Sequence, residues 1–138
     1  MANIIPNSFR GALFEANHNF KASGGNNFSL SLYVGSGSFP YTTASTVYSA
    51  TDEVSSGGGS NYAVKVLTRL GVVSSTAVAS VDFDNVTWSS ATFSAAYAAI
   101  YNTDTVDGTA NRLVVVLDFG GSKTATCSLR GNIQYRYS

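Results

Sequence analysis

The chain is short of charge, histidine and cysteine, and each shortage excludes something. Its 138 residues carry eight Lys and Arg against eight Asp and Glu, 12% charged and net zero. Neither half holds a run of like charge, so the electrostatic footprint that nucleic acid or an anionic membrane requires is missing. The single cysteine, Cys127, cannot close an internal disulfide, which fits a reducing cytoplasm. No segment approaches the roughly 20 apolar residues that span a bilayer. The first residues, Met1 to Pro6, lack both a charged start and a long apolar run, so no signal peptide is expected. His18 is the only histidine, so an imidazole-assisted mechanism would have to rest on it alone. It lies between Asn17 and Asn19 at an expected helix end, where a solvated ring is the simpler reading.

What the chain does have is alternation. From Phe93 to Tyr101 one face carries Phe93, Ala95, Tyr97, Ala99 and Tyr101, and from Leu113 to Phe119 it carries Leu113, Val115, Leu117 and Phe119. The closing stretch sets Cys127, Leu129, Gly131, Ile133, Tyr135 and Tyr137 on one side and polar residues on the other. Side chains alternate across a strand, so each segment predicts one buried and one wet face. Further strands are expected at Phe28–Val34, at Tyr62–Leu70 with Tyr62, Val64, Val66, Thr68 and Leu70 on one side, at Val78–Phe83, and around Val86 and Trp88. Trp88 is expected in the core. Turns are expected at Gly24–Asn27, at Val106-Asp107-Gly108 and at Gly120-Gly121. The fold class is therefore all-β: one antiparallel β-sandwich over residues 8–138, of jelly-roll or immunoglobulin-like type.

One short helix precedes it. Ser8 is placed to cap a helix in which Phe9, Ala12, Leu13 and Ala16 form one apolar stripe. Residues 1–7 form an N-terminal arm whose Ile4, Ile5 and Pro6 have no place in that stripe, so they are expected to be exposed and disordered in a free monomer, the alternative being an arm folded back over the open end of the sandwich. Gly35 to Ser60 dissolves into Gly, Ser, Thr and Tyr, a length that implies function or mobility. Within it Phe39, Pro40 and Tyr41 set two rings beside a stiff turn, and Val47-Tyr48 suggest a short edge strand.

Reactive candidates are few. Asp82 and Asp84 would share one strand face about 6–7 Å apart, a spacing open to a carboxylate pair or a calcium ion, though a solvent-facing strand edge explains them as well. Asn102 to Gly108 has the composition of a calcium loop without its alternating carboxylates or closing Glu, and reads as a turn. Gly57–Gly59 lacks the lysine of a phosphate loop. Cys127 reads as a small buried thiol. No catalytic residue, cofactor site or metal site is expected, and the chain does not read as an enzyme.

Three segments carry a resemblance. Val86 to Phe93 (VTWSSATF), Ala96 to Tyr101 (AYAAIY) and Leu113 to Lys123 (LVVVLDFGGSK) follow in the order found in a widespread group of tailed-phage virion structural proteins. Glu53-Val54-Ser55 before the glycines and Tyr62 is similar to an upstream segment of the same group, as is the short helix at Ser8–Ala16. The similarity covers most of residues 8–125. Where members continue with an SNGTFTI segment, this chain has Thr126 to Ile133.

The resemblance implies a capsid decoration (cement) protein, made in the host cytoplasm and carried on the virion. Its expected partners are the major capsid protein and itself, as a homo-oligomer with a trimer favoured over a dimer; no nucleic acid or membrane partner is expected. Ile4, Ile5, Pro6, Phe39, Pro40 and Tyr41 are the expected contact residues. The alternatives are a tail or neck component, or a carbohydrate-binding adhesin using Tyr41, Tyr48 or Tyr62 as sugar platforms.

Overall fold

The computed structural model describes residues 2–57, 60–125, 128–131 and 134–137, the last two stretches by their backbone. Among the described residues one helix, α1 (Asn7–Phe14), precedes nine strands: β1 (Phe28–Tyr33), β2 (Lys65–Leu67), β3 (Arg69–Ser74), β4 (Ala79–Phe83), β5 (Val86–Ser89), β6 (Phe93–Asn102), β7 (Arg112–Ala125), β8 (Ser128–Gly131) and β9 (Gln134–Tyr137). Every strand pair is antiparallel. A four-stranded sheet, β2-β1-β6-β7, forms one layer; β3-β4-β9 and the β5–β8 pair form the other. The architecture is the all-β sandwich expected from the alternation.

Between the layers, Leu30, Leu32, Ile100 and Val115 meet Phe20, Phe83, Val86 and Trp88 in one core. Phe20 stacks on Phe28 at 4.5 Å, and Trp88 is sealed in with its indole N–H donating to the Ala63 carbonyl at 2.7 Å. That bond removes the one polar liability of burying an indole.

Several sequence expectations change here, each for a physical reason. The four-stranded sheet is buried on both faces, so β1 has no exposed residue, and Ala98, Ala99 and Ile100 of β6 and Leu113 to Val116 of β7 are consecutively buried. Gly120-Gly121 is not a turn: β7 runs through it to Ala125. The pairing there jumps from Tyr97↔Asp118 to Ala95↔Lys123, a wide bulge that Gly120 (φ 71°) and Gly121 (φ 129°) make sterically possible. The turn at Asp107-Gly108 does form, with positive φ at both residues, as a two-residue hairpin requires.

The strand expected at Tyr62–Leu70 breaks into β2 and β3, and neither of its two expected sides is buried as a whole, since Tyr62 of one side is buried together with Leu67 of the other. Leu67 is the buried residue of β2, whereas Val66 is 74% exposed. The closing strand likewise divides, β8 pairing with β5 and β9 with β4. Of the expected inward row from Cys127 to Tyr137, Cys127 and Ile133 lie outside the described residues, and the other members are described by backbone alone.

In α1 the buried residues are Phe9 and Ala12, while Leu13 and Ala16 are exposed. Pro6 takes the N-cap position with no side-chain cap, and the Ser8 hydroxyl instead donates to the Ser45 carbonyl at 3.1 Å.

Candidate functional surface

The segment between β1 and β2 has almost no regular structure, yet it is firmly held. It lies as a strap across the outer face of the four-stranded sheet, where Tyr33, Tyr41, Ala99, Leu113, Val116 and Ile4 form a second buried cluster. Its polar side chains fix its path. Tyr33 and Tyr41 share a hydrogen bond of 2.7 Å between their hydroxyls, and both reach the Ser49 carbonyl. Glu53 accepts from the Tyr62 hydroxyl at 2.6 Å on one carboxylate oxygen and from Tyr48 on the other. The Tyr62 oxygen in turn accepts from the Leu32 N–H at 3.0 Å. Burial, with the Glu53 carboxylate second, holds the Tyr48 and Tyr62 hydroxyls protonated far above the usual phenol range.

Ring packing completes the strap. Phe39 stacks on Tyr97 at 4.2 Å and Tyr48 on Tyr101 at 4.6 Å, joining strap to β6 at two points. Asp52 accepts from the Gly35 and Ser36 N–H groups at 2.8 and 2.9 Å and from the Ser36 hydroxyl, closing the strap's first turn. Val47 forms only an isolated bridge to Arg112 rather than an edge strand.

The N-terminal arm is part of the same cover, which corrects the expectation that it hangs free. Ile4 exchanges two 2.9 Å backbone hydrogen bonds with Val116 and is 8% exposed; Pro6 is fully buried and Ile5 packs on the main core. Of the six residues expected to form the contact surface, Ile4, Pro6 and Tyr41 are buried and Ile5, Phe39 and Pro40 half-buried. Ile4, Tyr41 and Phe39 belong to the cluster that covers the sheet, and Ile5 packs on the main core. The sugar-platform residues meet a similar fate: Tyr41 and Tyr62 are buried, and Tyr48 lies half-buried against Tyr101. Beside them lies a shallow groove of about 530 Å³ lined by Tyr48, Glu53, Ser55, Ser56 and Tyr62, but its carboxylate is already occupied by the two hydroxyls.

His18 is not solvated. It is 8% exposed, with its ring 5.1 Å from Phe9 and 6.2 Å from Phe20. The Asn102 amide oxygen accepts from the Asp104 N–H, which leaves the amide nitrogen to donate to His18 Nδ1 at 3.0 Å. That arrangement makes Nδ1 the acceptor of a neutral imidazole and puts the proton on Nε2, a buried atom without a protein partner. Burial, and secondarily the Arg112 charge, lower its pKa from 6.5 to about 4.

The carboxylates are spoken for as well. Asp104 accepts from the Asn27 side chain and backbone at 3.0 and 3.1 Å and from Asn26 at 3.2 Å, bonds that hold it below the usual carboxylate range. It thereby clamps the start of β1 to the end of β6. Asp107 faces Arg112 at 3.3 Å. Asp82 and Asp84 each accept from the N–H of the following residue. Among the described residues no three of His, Cys, Asp and Glu gather to hold a metal, and no helix is long and apolar enough to cross a membrane.

Missing from the sequence reading is the surface that the fold leaves uncovered. Strands β2 and β3 are edge strands of their sheets, and Val64, Val66, Leu70, Val72 and Val73 along them are exposed. At the end of α1, Phe14 is 92% exposed. Next to it opens an apolar cleft of about 220 Å³, with Leu13 and Val72 at the rim and Phe9, Phe83, Ile100 and Val115 within. One signal was legible: Phe14 stands on the opposite side of the helix from the Phe9–Ala12–Ala16 stripe.

Comparison with protein-family models, with curated proteins and with solved structures finds no match to this chain.

Proposed function

We propose that the chain is a structural virion protein that coats the outer face of a phage head and bridges neighbouring major capsid subunits as a homo-oligomer, a trimer favoured over a dimer. The observation that carries this reading is the division of labour across the surface. Among the described residues Glu53, Asp104 and His18 are spent on internal clamps, while apolar residues of two edge strands and one helix end face outward. Leu13 and Val72 border one apolar cleft with exposed Phe14 next to Leu13 in the chain, and exposed apolar residues grouped in this way mark contact with other protein. Low charge favours the same reading, since a crowded lattice of like copies avoids self-repulsion. Weak contacts repeated over an icosahedral shell give strong avidity without one tight interface.

Cryo-electron microscopy of virions tests the proposal. Density for this sandwich in many copies outside the head is the expected result. Copies confined to the tail or neck, at low number, would replace it with the tail reading.

A further inference from the structure

The apolar cleft and the exposed ring beside it are complementary in size and chemistry. The cleft is enclosed by α1 on one side and by the β3–β4 hairpin on the other, with Ile100 and Val115 of the main sheet as its floor. It has a volume of about 220 Å³, and among the described residues its lining side chains are apolar apart from Ser80. A cavity of ~150 Å³ with such a lining stays dry and takes up benzene, so a phenyl ring fits here with room for its Cβ.

We propose that the occupant is Phe14 of a second copy of this chain, each copy seating its ring in the cleft of the next. Phe14 does not reach its own cleft, since it lies 92% exposed while its neighbour Leu13 forms the rim. Knob and hole therefore sit side by side on one patch, the arrangement that lets a contact close on itself through a two-fold axis or a small ring.

Area and charge agree. Leu13 (39% exposed), Phe14 and Val72 (55%) leave on the order of 300–400 Å² of apolar side chain in water. A reciprocal pair covers about twice that before the uncharged hairpin tip Ser74–Ala77 is counted, within reach of the ~1,000 Å² total of a specific interface. Arg10 and Glu15, exposed on either side of Phe14 and of opposite sign, allow Arg10 of one copy to face Glu15 of the other.

This contact rests on the homo-oligomer proposed above but not on the capsid. Sedimentation or mass photometry of the purified full chain should give a dimer or trimer, and Phe14→Ser should weaken association by roughly 100-fold, as loss of a central aromatic anchor does. Ala79→Trp, which fills the cleft from its exposed rim and keeps the ring, should do the same. Unchanged circular dichroism and thermal midpoints check that both variants are folded. Monomeric Phe14→Ser should also bind an anilinonaphthalene sulfonate dye several-fold more than the wild type, because its cleft is open.

A wild-type chain that is monomeric overturns the homo-oligomer and this contact together. A stable oligomer that survives either substitution, or a dye signal that does not rise in Phe14→Ser, overturns this contact alone.

Discussion

Acid should weaken this fold through one residue, in a pH range where little else titrates. His18 is the only histidine, and its pKa falls from 6.5 in the unfolded chain to about 4 in the folded one. The folded state thus keeps a neutral ring where the unfolded state takes up a proton. Stability from this group is complete above pH 6.5, is lost progressively as pH falls toward 4, and changes little below that. A shift of this size corresponds to about 3 kcal/mol when fully expressed, of which about 2 kcal/mol lies between pH 7 and pH 5. The structural cause is specific: Nδ1 already accepts from Asn102, so an added proton would set two donors against each other inside an aromatic pocket. Urea unfolding at pH 7, 6 and 5 measures the slope, and His18→Asn should flatten it while lowering stability at pH 7. A stability that is flat over this range, or a slope that persists in His18→Asn, would refute the buried neutral imidazole.

Ile4→Ala should destabilise by about 2–3 kcal/mol in denaturant unfolding, because the arm covers the sheet and the truncated side chain leaves a cavity. Removing residues 1–7 should lower the thermal midpoint substantially rather than leave it unchanged. Tyr62→Phe should cost about 1–3 kcal/mol, since it strands both the Leu32 N–H and one Glu53 oxygen, and hydrogen exchange should speed up first in the strap. Gly25→Ala should disrupt the turn before β1, because a Cβ there would lie 2.3 Å from the Lys21 carbonyl oxygen; circular dichroism melting should show the loss.

Alternation reads a strand correctly only when one of its faces is wet. It located β1, β4, β5, β6 and β7 and the sandwich class, but it assigned outer faces to residues that are buried. Val114-Val115-Val116 and Ala98-Ala99-Ile100 are apolar on both sides because a second cover exists, and the period-2 pattern has no way to represent that cover. The strap itself has no periodicity. Its order comes from contacts distant in sequence, such as Leu32 to Tyr62 and Phe39 to Tyr97, which no local pattern encodes. Gly120-Gly121 was misplaced for a related reason, since paired glycines signal a break in regular backbone but a bulge and a turn share that signal. His18 looked solvated because its asparagine neighbours are polar; the rings that bury it, Phe9 and Phe20, lie to either side in sequence.

The residues around Glu53, Tyr62, Trp88 and the Phe93–Tyr101 stretch of β6 do physical work that is nearly all architectural. Glu53 receives Tyr48 and Tyr62; Tyr62 packs against Trp88 and Phe93; Tyr97 and Tyr101 receive Phe39 and Tyr48 of the strap. These residues form one continuous seam that binds the strap to β6 and to the second layer. At Tyr62 a tyrosine serves better than a phenylalanine, because its ring fills the apolar seam while its hydroxyl donates to the strap carboxylate of Glu53. The seam closes the sandwich and says nothing of what the closed sandwich touches. Under the proposed homo-oligomer, partner choice falls to residues outside the seam. On this molecule those are the outward residues of β2 and β3 and the end of α1, where Val66, Val73 and Phe14 stand in water with no internal task.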